Sequence, residues 1–297
     1  MAPIRDLEAR TSVTRLKDES RLLAGLGRRC AAVNRVTSDM ARENLPTGPP
    51  SAWAILSGPL PELPLIDRML VRSVALVSRC KVRSLDGLDH IAPERDPFIL
   101  AANHSTRQEA IVLPALLFLL RHGRRIHFMA DWNFRMIPGV DLLYRRAGAI
   151  TVARKPARPR LLNLVKPLFT EKISPMEQAR RHLIAGRSIG VFPEGTVNRD
   201  PSRLLRGRHG AARLSLETGA PIIPVGLRFP TVPRGTAIPE GSPMSIEVGE
   251  PLVPPATAIP PAYANLWAWH ERVMTTIGRL SGKSWEFSAQ EASHENA

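Results

Sequence analysis

The sequence predicts an α/β protein: a central, mostly parallel sheet flanked by helices, with an N-terminal helical arm. Three observations carry that expectation. From about residue 96 onward, short apolar runs alternate with helical stretches. The runs are apolar on both faces, as strands buried between two layers of helices are. The 28 prolines in 297 residues fix many turns and exclude a coiled coil, and no internal period points to a repeat. With 43% hydrophobic residues, the chain has enough apolar material to exclude disorder over its whole length.

The elements follow in order. Residues 1–50 are polar and arginine-rich and end in the breaker cluster Leu45-Pro46-Thr47-Gly48-Pro49-Pro50. They read as an arm with one helix, and 51–297 as a single domain. Within 64–80, Ile66, Met69, Leu70, Val74 and Val77 share one helical face at about 100° per residue, with Arg68, Arg72 and Arg79 opposite. Such a helix either covers the core with a solvated basic face or lies at a membrane interface. Residues 98–102 form a short apolar strand and 109–121 a helix. Residues 126–129 form a second strand, followed by a helix over 132–145 broken at Pro138-Gly139. Residues 149–152 form a third strand, and a long basic connection covers 153–174. Ser174-Pro175-Met176-Glu177 is a capping box with proline at the first helical position, and Gly186 ends that helix. Residues 189–192, 222–227 and 244–248 are further strands, with helices over about 207–217 and 262–280.

The charge is lopsided, 41 Lys+Arg against 27 Asp+Glu, a net +14. Most of the basic residues are arginines, whose planar fork suits phosphate. Nucleic acid, phosphorylated small molecules and anionic membrane surfaces are the partners such a balance favours. Nucleic acid is not expected, because only 5% of residues are aromatic and no reading module appears. Cys30 and Cys80 give neither a disulfide framework nor a metal spacing, so the expected compartment is the reducing cytoplasm. No secretory signal is read at the N-terminus. The longest apolar run, Ala110 to Leu120, is far short of the ~18–20 residues that span a bilayer.

Among the eight histidines, His104 alone has an acid at a useful spacing, Glu109 five residues on. Within one regular helix the two would point about 140° apart. They meet if His104 sits in the turn after a strand and Glu109 in the first helical turn. A carboxylate there holds the imidazole in one tautomer, the arrangement of a general base. Thr106 and Glu109 also make a capping box, which by itself accounts for the glutamate. Gly278-Arg279-Leu280-Ser281-Gly282-Lys283-Ser284 has the flavour of a phosphate-binding loop, but it has one residue too few between its glycines and follows a helix. No cluster has metal-ligand spacing, so no metal is expected.

Three more segments extend the pattern around His104. Gly148, Ile150 and Arg154 stand in a glycine–strand–arginine run. Phe192-Pro193-Glu194-Gly195-Thr196 follows a strand and begins 88 residues after His104, and Pro221-Ile222-Ile223-Pro224-Val225 comes next. With Asn103, His104 and Glu109, these resemble in order the four motifs of the glycerolipid acyltransferase family, over residues ~80–250. Glu109 stands where that family's first motif has aspartate, and Val197 where its third has arginine, with Arg199 two residues later.

The resemblance implies an O-acyltransferase that moves a fatty acyl group from acyl-CoA or acyl-carrier protein to 1-acyl-sn-glycerol-3-phosphate. It implies no cofactor. His104 would be the base and Glu109 its orienting acid. Asn103, Gly148, Arg154, Phe192, Pro193, Glu194, Gly195, Thr196, Arg199 and Pro224 would build the substrate site, Arg199 reaching back to replace the missing arginine. The expected partners are the acyl donor thioester, a lysophospholipid acceptor and an anionic membrane surface, with the protein peripheral on the inner face of the cell membrane. A family member with a non-phosphate acceptor and a non-catalytic lipid- or nucleic-acid-binding protein remain the alternatives.

Overall fold

The computed structural model of the chain describes residues 48–288, apart from 62, 138, 154–155, 157–162, 165, 167–172, 234 and 257–258. The expected arm lies outside the described residues up to position 47. Seven strands, β1 (Val82–Asp86), β2 (Ile99–Ala102), β3 (His127–Asp131), β4 (Ile150–Val152), β5 (Ile189–Val191), β6 (Ile222–Arg228) and β7 (Met244–Val248), form one sheet. Their order is β1-β7-β6-β2-β5-β3-β4, and every neighbouring pair is parallel except β6 with β7. The expected α/β architecture is therefore the observed one. Strand β1 and the short helix α1 (Ala52–Ser57) have no counterpart in the sequence reading.

Strand β2 shows why the sheet sits centrally. All four of its residues are wholly buried, and they alternate between two cores. Leu100 and Ala102 join the core beneath α2 (Leu65–Arg79) and α3 (Glu109–Leu120). Ile99 and Ala101 join the core beneath α5 (Pro175–Ile184), α6 (Gly210–Thr218) and α7 (Tyr263–Ser281). Period-two alternation with apolar residues at every position is what two helical layers demand. Helix α3 is apolar all round, as befits a helix covered on both sides. The broken helix expected over 132–145 appears as a 3₁₀ turn, Trp132–Met136, followed by α4 (Val140–Ala147).

Helix α2 departs from the simpler of its two readings. Its buried face is Asp67, Val71, Ala75 and Ser78, mostly small residues that let it lie close against α3. The large apolar residues point away from the core: Leu65, Ile66, Met69 and Val77 are 71, 64, 63 and 73% exposed. Arg68 and Arg72 are not solvated cations either. Arg68 Nε donates to Leu63 O (2.7 Å) and Arg72 Nη2 to Gly58 O (2.9 Å), stapling the turn between α1 and α2.

Candidate active site

Strand β2 lies between β5 and β6, and the segments leaving the carboxyl ends of these parallel strands converge there. In open α/β sheets that crevice is where ligands bind. His104 stands two residues beyond β2 and Glu109 begins α3. The turn between them brings the pair together, His104 Nδ1 donating to Glu109 Oε2 at 2.9 Å. The same oxygen accepts Ser105 N (2.7 Å), while Oε1 accepts Thr106 N (2.8 Å) and Thr106 Oγ1 (3.2 Å). The two sequence readings of Glu109, helix cap and partner of the imidazole, are thus both realised on one wholly buried carboxylate. With Nδ1–H committed to Glu109, Nε2 of the neutral ring carries the lone pair. Phe192, at the end of β5, stacks on the imidazole with ring centroids 4.4 Å apart and 25° between planes.

The other motif residues mainly build the frame. Asn103 pairs with β6 as a strand residue would: its Oδ1 accepts Leu227 N (2.7 Å) and its Nδ2 donates to Leu227 O (3.1 Å). Glu194 does not face open space. Its buried carboxylate accepts His104 N (2.9 Å), Asn198 Nδ2 (2.7 Å) and Leu205 N (2.9 Å), joining the His104 turn to the loop after β5. Burial pushes this carboxyl up, against the opposing pull of those donors and of Lys283. Pro193 O accepts Arg208 N (2.8 Å) and Thr196 is exposed. Gly195 has φ +66°, and a Cβ there would fall 2.6 Å from Arg208 Nε. Among the described residues, no group of three His, Cys, Asp or Glu side chains is placed to hold a metal ion.

Three expected substrate-site residues lie elsewhere. Gly148 caps α4 at the amino end of β4, the opposite end of the sheet from His104, where its carbonyl accepts His127 Nδ1 (2.8 Å). Pro224 is buried in mid-sheet, paired with Ala101, its carbonyl accepting Gly249 N (2.8 Å). Arg199 turns away from the motif loop, because Glu240 in the β6–β7 connection satisfies its Nη2 at 2.7 Å. Arg154 lies outside the described residues. Arg208 lies along Gly195 with a guanidinium that meets no acceptor among the described residues. Its only advance signal is its place in the basic run Arg199, Arg203, Arg206, Arg208.

Residues 83–228 match the family model described as Acyltransferase. A curated relative, the 1-acyl-sn-glycerol-3-phosphate acyltransferase of Borreliella burgdorferi, is 28% identical over 136 residues, 46% of this chain and 47% of that protein. The chain thus spans about half the length of the curated relative it matches. Among solved structures, the chain is similar to the 1-acyl-sn-glycerophosphate (LPA) acyltransferase PlsC from Thermotoga maritima. The TM-score is 0.45 and the identity 21%, with 68% of this chain and 73% of that one covered.

Proposed function

We propose that the chain, whose residues 83–228 match the Acyltransferase family model, transfers a fatty acyl group from a thioester donor to the free hydroxyl of 1-acyl-sn-glycerol-3-phosphate. The observation that carries this reading is the His104–Glu109 contact at the carboxyl end of β2. The acceptor hydroxyl attacks the thioester carbonyl as His104 Nε2 takes its proton. An ester C–O bond forms, the C–S bond breaks, and the imidazolium returns the proton to the departing thiolate. Glu109 keeps the ring in the required tautomer and offsets the charge that develops on it. No nucleophilic side chain takes part. For the acceptor phosphate the available fork is Arg208, since Arg199 is paired with Glu240.

Helices α1 and α2 supply the membrane contact in this reading. Trp53, Leu65, Ile66, Met69 and Val77 form an exposed apolar stripe, which an interfacial helix buries among acyl chains while surrounding basic charge meets anionic headgroups. Among the described residues no helix is long and apolar enough to cross a membrane.

The test is to incubate the purified chain with labelled acyl-CoA or acyl-carrier protein and a panel of lysolipids and neutral glycerolipids, then identify the product. Phosphatidic acid is expected from the wild type, with a loss of about 10²–10⁴ in rate in His104→Ala. A folded His104→Ala with wild-type turnover removes the imidazole from the mechanism. Arg208→Ala should raise KM for lysophosphatidic acid about tenfold or more, the worth of one charge-assisted hydrogen bond, and leave that for the donor unchanged. If it does not, and a neutral acceptor is used equally well, the acceptor carries no phosphate.

A further inference from the structure

The segment from Gly278 to Ser284, whose glycines imitate a phosphate-binding loop, instead ends α7. Gly282 adopts the left-handed conformation (φ +72°) that closes the helix, and Gly278 leaves room for the Lys283 carbonyl, which would lie 2.7 Å from a Cβ there. The turn is then fastened to the loop beyond β5. Ser284 N donates to Ser202 O (2.7 Å) and Leu204 N to Ser284 O (2.9 Å). Held in this way, Lys283 runs inward until it is only 6% exposed, and its ammonium donates to Ser105 Oγ at 2.8 Å. Ser105 is the residue after His104, and its own N–H donates to Glu109.

A lysine this buried needs a compensating charge. Lys283 makes no direct ion pair among the described residues, yet three acids act on it: Glu194 from the loop after β5, Glu109 from α3, and Asp200 from the loop beyond. His104, bonded to Glu109, is a titratable ring beside them, and Arg203, whose backbone bridges Ser284, is exposed. Glu109 and Glu194 are both buried, and both are bonded to the His104 turn. Two carboxylates confined there without a cation repel each other, which adds to the burial that already raises the Glu194 carboxyl. We infer that Lys283 is a positioning residue for His104: it supplies the counter-charge to the buried Glu109 and Glu194 carboxylates and, through Ser105, pins the turn on which the imidazole stands. The catalytic half of this inference rests on the acyl-transfer reading above, while the electrostatic half stands without it.

Lys283→Met keeps most of the length of the side chain, losing only the terminal ammonium and with it the charge. Its Tm should fall by about 10 °C at about pH 8, as expected for breaking a buried charge cluster. At about pH 5.5 the fall should be smaller, because burial, which raises the Glu194 carboxyl, favours a proton there that relieves the repulsion. Turnover should drop about tenfold or more, with KM for donor and acceptor within about threefold of wild type. A Tm loss equal at the two pH values reduces Lys283 to packing and overturns the inference, as does unchanged turnover. Should Lys283→Met fail to fold at about pH 8, Lys283→Arg replaces it. An arginine variant folded at both pH values with about a third of wild-type turnover supports the counter-charge, and one that folds at neither overturns it. If the wild type acylates nothing in the panel while the pH-dependent Tm loss persists, the proposed function fails, and with it the catalytic half alone.

Discussion

Glu109 shows how much one carboxylate can organise. Its two oxygens face four donors: the imidazole Nδ1–H, two backbone N–H groups and the Thr106 hydroxyl. An amide has one acceptor oxygen and one donor NH₂, so Glu109→Gln sets donor against donor whichever way it turns. If the NH₂ faces His104, it forces the proton onto Nε2 and removes the base. Glu109→Gln should therefore lose about 10²–10⁴ in turnover and about 1–3 kcal/mol of stability, whereas glutamine serving merely as a cap would leave both intact. Turnover in Glu109→Gln equal to wild type, measured alongside urea unfolding, sinks the orienting role. Glu109→Asp keeps the charge and should retain more activity than Glu109→Gln. The His104–Glu109 pair was legible in the sequence because five residues bracket a single strand-to-helix turn. Lys283 was not, because it reaches Ser105 across 178 residues, and no local pattern announces a contact made by tertiary packing. The pairing of Arg199 was not legible for a similar reason: its partner, Glu240, lies 41 residues away in another connection.

At the scale of elements, α2 separates periodicity from direction. Its amphipathic stripe is legible at helical spacing, but periodicity alone does not say which side meets the protein. The inward face is the one with small residues, since α3 beneath it is already apolar all round and rewards close approach. That leaves the large side chains free for a bilayer, and it reassigns the arginines. Ile66→Asp/Met69→Asp should abolish sedimentation with anionic liposomes and leave Tm within about 2 °C, because exposed substitutions away from structural contacts cost little. Binding that survives this double substitution places the membrane contact elsewhere. Arg68→Glu should instead lower Tm, since it breaks the bond to Leu63 O that closes the α1–α2 turn. Raising salt should weaken vesicle binding without eliminating it, because the screened electrostatic attraction adds to an apolar contact that salt does not screen. Loss of all binding at about 0.5 M salt, where the Debye length is only a few Å, assigns the contact to charge alone.

At the scale of the whole molecule, the layered α/β plan was legible because central strands must be apolar on both faces, whereas strand order and the antiparallel β7 were not, being set by pairings far apart in sequence. The same long-range packing creates two histidine clusters whose titration should lower stability in acid. On one side His127 and His182 lie with ring centroids 3.9 Å apart, with Arg187 acting on both. On the other, His270 is almost wholly buried, its Nε2 bonded to Arg206 O (3.0 Å), beside His209. Burial, followed by the neighbouring rings and arginines, pushes both His182 and His270 down to about 4. A histidine lowered in the folded state leaves stability untouched above its unfolded value of about 6.5, because neither state binds the proton there. As pH falls below that value the unfolded chain takes up protons that the folded chain refuses. The loss for His270 is complete only below about pH 4, where it amounts to about 3 kcal/mol. The partly exposed His182 should contribute less, because solvent screens it. Glu177, held down to about 2 by Arg180 and Arg181, begins to lose its contribution only as pH falls below its unfolded value of about 4.5, so it touches only the bottom of the window and affects wild type and variant alike. The measurement is Tm against pH from about 7 to about 4 for the wild type and His270→Gln, whose amide NH₂ can still donate to Arg206 O. The variant should start lower, because the aromatic packing is poorer, but its Tm should fall less steeply across the window. Parallel curves would mean that the buried ring is protonated as readily in the folded chain as in the unfolded one, and the acid sensitivity would then have to come from the carboxylates below it.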